Sequence, residues 1–162
     1  MVMNFEMRWI ENSVRDGEEH YGYSVKVTKG IPRNRLGAKG GDAMVYHARN
    51  ERSGEKVMSV DVLTCSSRLD ATEMVKIKQR MNQLLKRNHK KVLLDFMKTE
   101  QVDLAGIGIL IERVKMLRSL DGEIKLCNLN SQVSDTLRMV GVSKLLESYD
   151  SREEALRSFC LQ

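Results

Sequence analysis

The chain predicts an α/β fold, an open sheet with helices packed against it. Two patterns carry that expectation. From Met44 onward, short stretches with the two-residue period of a strand alternate with longer stretches of helical period. Within them, residues 92–96 are apolar except for Asp95, the composition of a strand covered on both faces. The bulk numbers bound the size. At 162 residues, 41% hydrophobic and 30% charged, the chain is one ordinary globular domain with room for a short appendage.

Residues 1–42 read as an N-terminal extension. A helix over 4–14 would put Phe5 and Trp9 on one side, and residues 21–28 alternate as a strand does, with Tyr21, Tyr23, Val25 and Val27 against Gly22, Ser24, Lys26 and Thr28. Residues 30–42 hold the only proline and several glycines, which makes a loop or linker. The regular pattern of residues 43–162 then begins with strands at 44–49 and 57–63, the second with Met58, Val60 and Val62 on one face. A helix follows over 70–88, where Met74, Ile77, Met81, Leu84 and Leu85 keep helical spacing and Asp70 or Thr72 stands as its cap. After the strand at 92–96, a helix over 106–120 carries Ile107, Leu110, Ile111, Val114 and Leu117 in one stripe. A strand at 123–129, a helix at 131–140, a short strand at 145–149 and a helix at 151–159 capped by Ser151 complete the chain.

Cys65, Cys127 and Cys160 are an odd number, far apart and without a CxxC, so buried reduced thiols are expected rather than a disulfide framework. His20, His47 and His89 lack metal-ligand spacing and read as isolated surface or loop side chains. No apolar run reaches the roughly 18 residues of a membrane helix, and the acids near the N-terminus are unlike a signal peptide, which points to a cytoplasmic protein with no membrane insertion. Neither a phosphate-binding Gly-rich loop nor a nucleophile elbow occurs, and no nucleophile–base set is brought together. The expectation is therefore a non-enzyme without cofactor or metal.

Residues 90–146 resemble the STAS domain, the fold of bacterial anti-sigma-factor antagonists and sulfate-transporter tails. The resemblance rests on the strand ending in Asp95, then Asp103-Leu104-Ala105-Gly106-Ile107-Gly108 at a helix start, where the family has Asp-Ser-Ser-Gly-Leu-Gly. It rests also on Gly122-Glu123 leading into the strand that ends Cys127-Asn128-Leu129, and on Met139-Val140-Gly141-Val142, which matches the family's helix-end glycine. Upstream, Ser67-Arg68-Leu69-Asp70 stands where the family shows Gly-Glu-Leu-Asp. Loosely matched one by one, these motifs are specific in their order and spacing, and they extend the resemblance to about residues 43–162.

The resemblance implies a small open mixed sheet of about four or five strands. It implies a partner-binding surface at Asp103, Leu104, Ala105, Gly106, Ile107 and Gly108 with Asp70 nearby, and a protein partner that is an anti-sigma factor or histidine-kinase-like ATPase. In regulated members the second serine of the turn accepts phosphate. Ala105 stands there and Leu104 beside it, so phosphorylation at that position is impossible; Thr99 and Ser131 are hydroxyls that could lie nearby without any mark of a substitute.

Other readings stay open. A structural or assembly subunit of a signalling scaffold or transporter complex, possible as a homo-oligomer, would use residues 1–42 to pair with a second chain. Nucleic-acid binding is disfavoured. Lys26, Lys29, Arg33, Arg35 and Lys39 form one basic cluster, and Lys76, Lys78, Arg80, Lys86, Arg87, Lys90 and Lys91 a second, but aromatic residues are 5% and none interleaves with either. The bland reading of both is a solvated face; attraction to an acidic partner is another.

Overall fold

The structure is a computed structural model that describes residues 28–29, 43–48 and 58–159. The helix expected over 4–14, nearly all of the strand expected over 21–28, the 30–42 loop and Cys160 lie outside the described residues.

A mixed sheet forms the centre, in the order β1-β2-β3-β5-β7-β8. Two antiparallel strands, β1 (Thr28–Lys29) and β2 (Ala43–Ala48), form one side, with Tyr46 opposite Val60 of β3 (Met58–Thr64). The other strands run parallel to β3. Val62 is level with Leu93 of β5 (Lys91–Asp95), Leu93 with Lys125 of β7 (Glu123–Cys127), and Cys127 with Tyr149 of β8 (Ser148–Tyr149).

The chain moves across the sheet in one direction, so its crossover helices share one face, as right-handed crossovers require. They are α1 (Ala71–Lys86), α2 (Leu104–Ser119) and α3 (Ser131–Met139). The last helix, α4 (Arg152–Ser158), packs on the opposite face. Two cores result. Leu63, Val92, Leu94, Ile124 and Leu126 meet Met74, Ile77, Leu110, Val114 and Leu117 beneath the three helices. Val60, Val62, Leu93 and Cys127 meet Ala155, Leu156 and Phe159 beneath α4. Strand pleating explains the division, since alternate residues of β3, β5 and β7 point to opposite faces. Each fully buried Leu or Ile contributes about 1.5–3 kcal/mol.

Local differences from the expected elements have physical causes. α2 begins at Leu104 rather than 106 because Asp103 takes the cap, its Oδ1 accepting from Gly106 N at 2.6 Å. The strand expected over 145–149 is preceded by a 3-10 turn (Val142–Lys144), and only its last two residues pair. Leu146 turns into the larger core instead of extending. Two strands of two residues each, β4 (Arg68–Leu69) and β6 (Gln101–Val102), pair parallel outside the main sheet. They are too short to leave any periodicity in the sequence.

Candidate protein-docking site

The carboxyl ends of parallel strands are where an open α/β sheet exposes loops and helix N-termini together. Here the loops after β3, β5 and β7 are locked to one another. The β4–β6 ladder joins the first two, helped by Glu100 N and Gln101 N donating to Ser67 O and by Asp103 N donating to Leu69 O at 3.2 Å. Thr99 is buried, and its hydroxyl donates to Ser66 O at 2.8 Å. Asn130 caps α3 by accepting from Val133 N, and its amide donates to Thr99 O at 2.9 Å. All three loops therefore hold one another through backbone oxygens, which fixes the helix starts they carry.

Asp95 ends β5 beneath these loops with no exposed surface. One carboxylate oxygen accepts from Met97 N at 3.0 Å and from the Asn128 amide at 2.8 Å; the other accepts from the Arg152 guanidinium. Burial by itself would raise the carboxyl, but the bonds from Asn128, Arg152 and Met97 and the Arg152 charge outweigh it and hold the group below the ordinary carboxylate range. Asn128 reaches this position from a left-handed backbone, φ 58°, which Asn tolerates better than most residues.

The expected docking residues come together at this pole. Asp70 and Asp103 cap α1 and α2, each by accepting from the third residue of its helix, Glu73 N at 2.9 Å and Gly106 N at 2.6 Å. Leu104 is 71% exposed and Ala105 lies open beside it. Met97, 68% exposed, rises from the β5–β6 connection. Ile107 differs from its neighbours, since it is buried in the larger core and supports the turn from below.

The two glycines of the turn have separate roles. A Cβ on Gly106 would stand 2.5 Å from Leu69 O and 3.2 Å from Asp70 C, so the close approach that Gly106 allows is that of the chain's own backbone at the start of α1. At Gly108 nothing lies within 4 Å, and the position is exposed. Only Gly108 leaves its space free for another molecule.

Thr99 is committed to Ser66 O and buried, so it offers no open hydroxyl, whereas Ser131 is exposed at the start of α3. Cys65 and Cys127 are buried free thiols, both raised by burial first and by the Asp95 charge second, Cys127 to about 12. At neutral pH such thiols are protonated and unreactive. His89 is not isolated: its Nδ1 lies 2.8 Å from Asp61 Oδ2. The second basic cluster is divided, with Lys76 on Glu73, Lys78 on Glu112 and Lys91 near Glu123, while Lys86, Arg87 and Lys90 lie at the other end of the helices.

A family model described as "STAS domain" matches residues 55–155. The chain belongs to the STAS domain family. Among relatives of this STAS domain, an anti-sigma F factor antagonist of Paenibacillus polymyxa is 25% identical over 96 residues, 59% of this chain and 82% of that one. An anti-sigma-factor antagonist (STAS) domain protein from Planctomyces limnophilus superposes with a TM-score of 0.53 at 21% identity, covering 61% of this chain and 88% of that chain. The anti-sigma factor antagonist SpoIIAA in its unphosphorylated form superposes with a TM-score of 0.51 at 18% identity, over 65% of this chain and 93% of that chain. SpoIIAA has also been determined in a phosphorylated form. At these identities the solved structures establish the STAS fold, an α/β sheet with helices on it. No helix among the described residues is long and apolar enough to cross a membrane.

Asn130 and Arg152 are site residues that sequence reasoning missed, and Thr99 and Asn128, though singled out, were not given the roles they have here. Asn130 ahead of Ser131 carries a readable cap signature. The roles of Thr99 and Arg152 depend on partners 33 and 57 residues away, which no local pattern encodes.

Proposed function

We propose that the chain is a non-catalytic binding module that docks on an anti-sigma factor or histidine-kinase-like ATPase through the start of α2, outside phosphate control. Asp103, Leu104, Ala105 and Gly108 form the contact surface, with Asp70 beside it and Ile107 and Gly106 holding it in shape. The observation that carries the proposal is Ala105. It is exposed at the second position of α2, at the spot where the family's serine would take phosphate, and it has no hydroxyl.

The physical argument is electrostatic. A helix start presents unpaired N–H groups and partial positive charge. A phosphate there would add about −1.5 to −2 charges to a surface that must otherwise lose its water against a partner. With alanine in place, affinity stays at its unphosphorylated level. Exposed Leu104 and Met97 supply the apolar contact that such a surface needs.

The test begins with capture of the tagged full chain from its own organism's lysate and mass spectrometry of what it holds. Recovery of an ATPase of the histidine-kinase-like type is the expected result, and Ala105→Glu should then weaken that complex at least about tenfold. Ala105→Ser should accept phosphate from the captured kinase. Unchanged affinity in Ala105→Glu would remove the turn as the interface, and recovery of only self or transport subunits would shift the reading to assembly.

A further inference from the structure

The end of the molecule opposite the docking turn is built differently. α1, α2 and α3 all finish there, because each crosses back from a parallel strand whose carboxyl end lies at the docking pole, and the 3-10 turn follows directly on α3. Close backbone contacts join these exits. Glu123 N donates to Lys90 O at 2.8 Å, Gly122 N to Leu117 O at 2.8 Å, and the Arg118 guanidinium to Leu145 O.

Cations collect on this pole. Lys86, Arg87, Lys115, Arg118 and Lys144 are exposed and Lys90 is half-buried, and none of them makes an ion pair among the described residues. Among the described residues the acids at hand are few, and Glu147, which shares a concavity with Arg118 and Lys144, is paired with Lys125 at 2.9 Å. Asp121 is exposed, while Glu123 is engaged by Lys125 at 3.0 Å and Lys91 at 3.9 Å. The helix dipole favours a cation at each helix exit, so some of this charge serves the helices themselves.

It does not explain the apolar side chains set among those cations. Met139 is 84% exposed, Leu120 40% and Val140 38%, each at the exit of α2 or α3. Half of the exposed large hydrophobic side chains among the described residues thus stand at the pole that also carries the unpaired positive charge. None of those exposed side chains is aromatic, so a nucleic acid would find its phosphates matched but no ring for its bases. Protruding aliphatic groups ringed by Lys and Arg match an anionic bilayer, where phosphate headgroups meet the cations and the acyl boundary takes the aliphatic tips.

We propose that this pole rests on an anionic lipid surface, with Met139, Val140 and Leu120 reaching into the headgroup boundary. The docking turn then faces away from the bilayer, at the far ends of α1 and α2. The inference is independent of the partner proposed above, since it uses the other ends of those helices.

The experiment is co-sedimentation of the full chain with phosphatidylcholine vesicles containing phosphatidylglycerol, against vesicles of phosphatidylcholine alone. Binding to the anionic vesicles only, weakening as salt rises, is the expected result. Neutralising Lys86, Lys90 and Lys115 together by glutamine should weaken it about fivefold per cation and so about a hundredfold in all. Met139→Asp should weaken it about tenfold. These side chains are exposed or half-buried, and an unchanged melting temperature would confirm that each variant is folded. Ala105→Glu should leave vesicle binding untouched. No binding at low ionic strength, or equal binding by the triple variant, overturns the proposal. Binding to duplex DNA that is lost in the triple variant and unaffected by Met139→Asp also overturns it, and assigns the pole to nucleic acid.

Discussion

The two faces of the sheet are held by different physics. Beneath α1, α2 and α3 the core is a large apolar cluster, mostly aliphatic with Phe96 among it, and buried charges such as Asp61 with His89 and Arg113 with Asn82 sit at its margins. Beneath α4 the apolar cluster is small, and two ionised side chains lie inside the contact. Arg152 clamps the start of α4 to Asp95, and buried Lys125 clamps its end through Ser158 Oγ at 2.9 Å while lying 4.8 Å from the Phe159 ring centroid. A seven-residue helix cannot bury enough to hold itself, so the Arg152–Asp95 pair at its start supplements Ala155, Leu156 and Phe159. The difference teaches that the large face resists chiefly by volume, with its ionisable groups at the margin, while the small face depends on charges inside the contact and so on pH.

Neighbouring residues on β5 allow the sharpest break of that comparison. Leu94 points to the large face and Asp95 to the small one. Leu94→Ala should cost about 3–4 kcal/mol through the cavity it leaves, by a similar amount across the pH range. Asp95→Asn should cost about 2–3 kcal/mol at neutral pH, since Arg152 loses its counter-charge while the amide oxygen keeps an acceptor. The sign with pH follows from the lowered carboxyl. A folded-state value below the unfolded one stabilises above the unfolded value and is lost as pH falls through the folded one. The gap between wild type and Asp95→Asn should therefore close in acid, below the ordinary carboxylate range, whereas the Leu94→Ala gap should not. Urea titrations at neutral and acidic pH measure both. A pH-independent Asp95→Asn effect would show that the clamp works by packing alone.

Much of this division was legible in the sequence. The alternation of strands and helices, the doubly covered strand at 92–96 and the caps at Asp70 and Ser151 are local facts, written in residues close together. The turn 103–108 was legible as a helix start, though the helix begins two residues earlier than expected and Gly106 and Ile107 are buried beneath the turn. What was not legible is non-local. Asp95 stood out only as an interruption in an apolar run, because its partner Arg152 lies 57 residues away. Nor does the spacing of Gly106 and Gly108 reveal that one meets Leu69 O and the other open space.

Those glycines test the large face where it is tightest. Gly106→Ala would force a Cβ to 2.5 Å from a backbone oxygen that cannot rotate away. It should cost about 2 kcal/mol and shift the start of α2 relative to α1. Gly108→Ala meets nothing and removes a glycine from a helix, so it should add about 0.5–1 kcal/mol. Thermal melts of the two variants moving in opposite directions would confirm that volume, and not glycine content, governs this face. If both variants lose stability, the tight contact at Gly106 is not what distinguishes them.

The smallest effect expected is the most informative about the small face. Lys125 is 1% exposed between Glu123 at 3.0 Å and Glu147 at 2.9 Å. Burial by itself would lower its amine, but the bonds it donates to Glu147 and Glu123 outweigh it and raise it. Removing one partner of a buried ion pair is costly where the other charge stays buried, but here the amine's own desolvation cost disappears with it. Glu123 and Glu147 keep 24% and 58% of their side-chain surface and can be hydrated once the ammonium is gone. Lys125→Met should therefore change stability by less than about 1 kcal/mol at neutral pH. A raised amine stabilises fully below its unfolded value and loses that contribution as pH rises through the folded one, so wild type should weaken in strong alkali and Lys125→Met should not share that part of the loss. A large cost at neutral pH would mean that the ammonium itself, through Ser158 and the Phe159 ring, is what keeps α4 on the sheet.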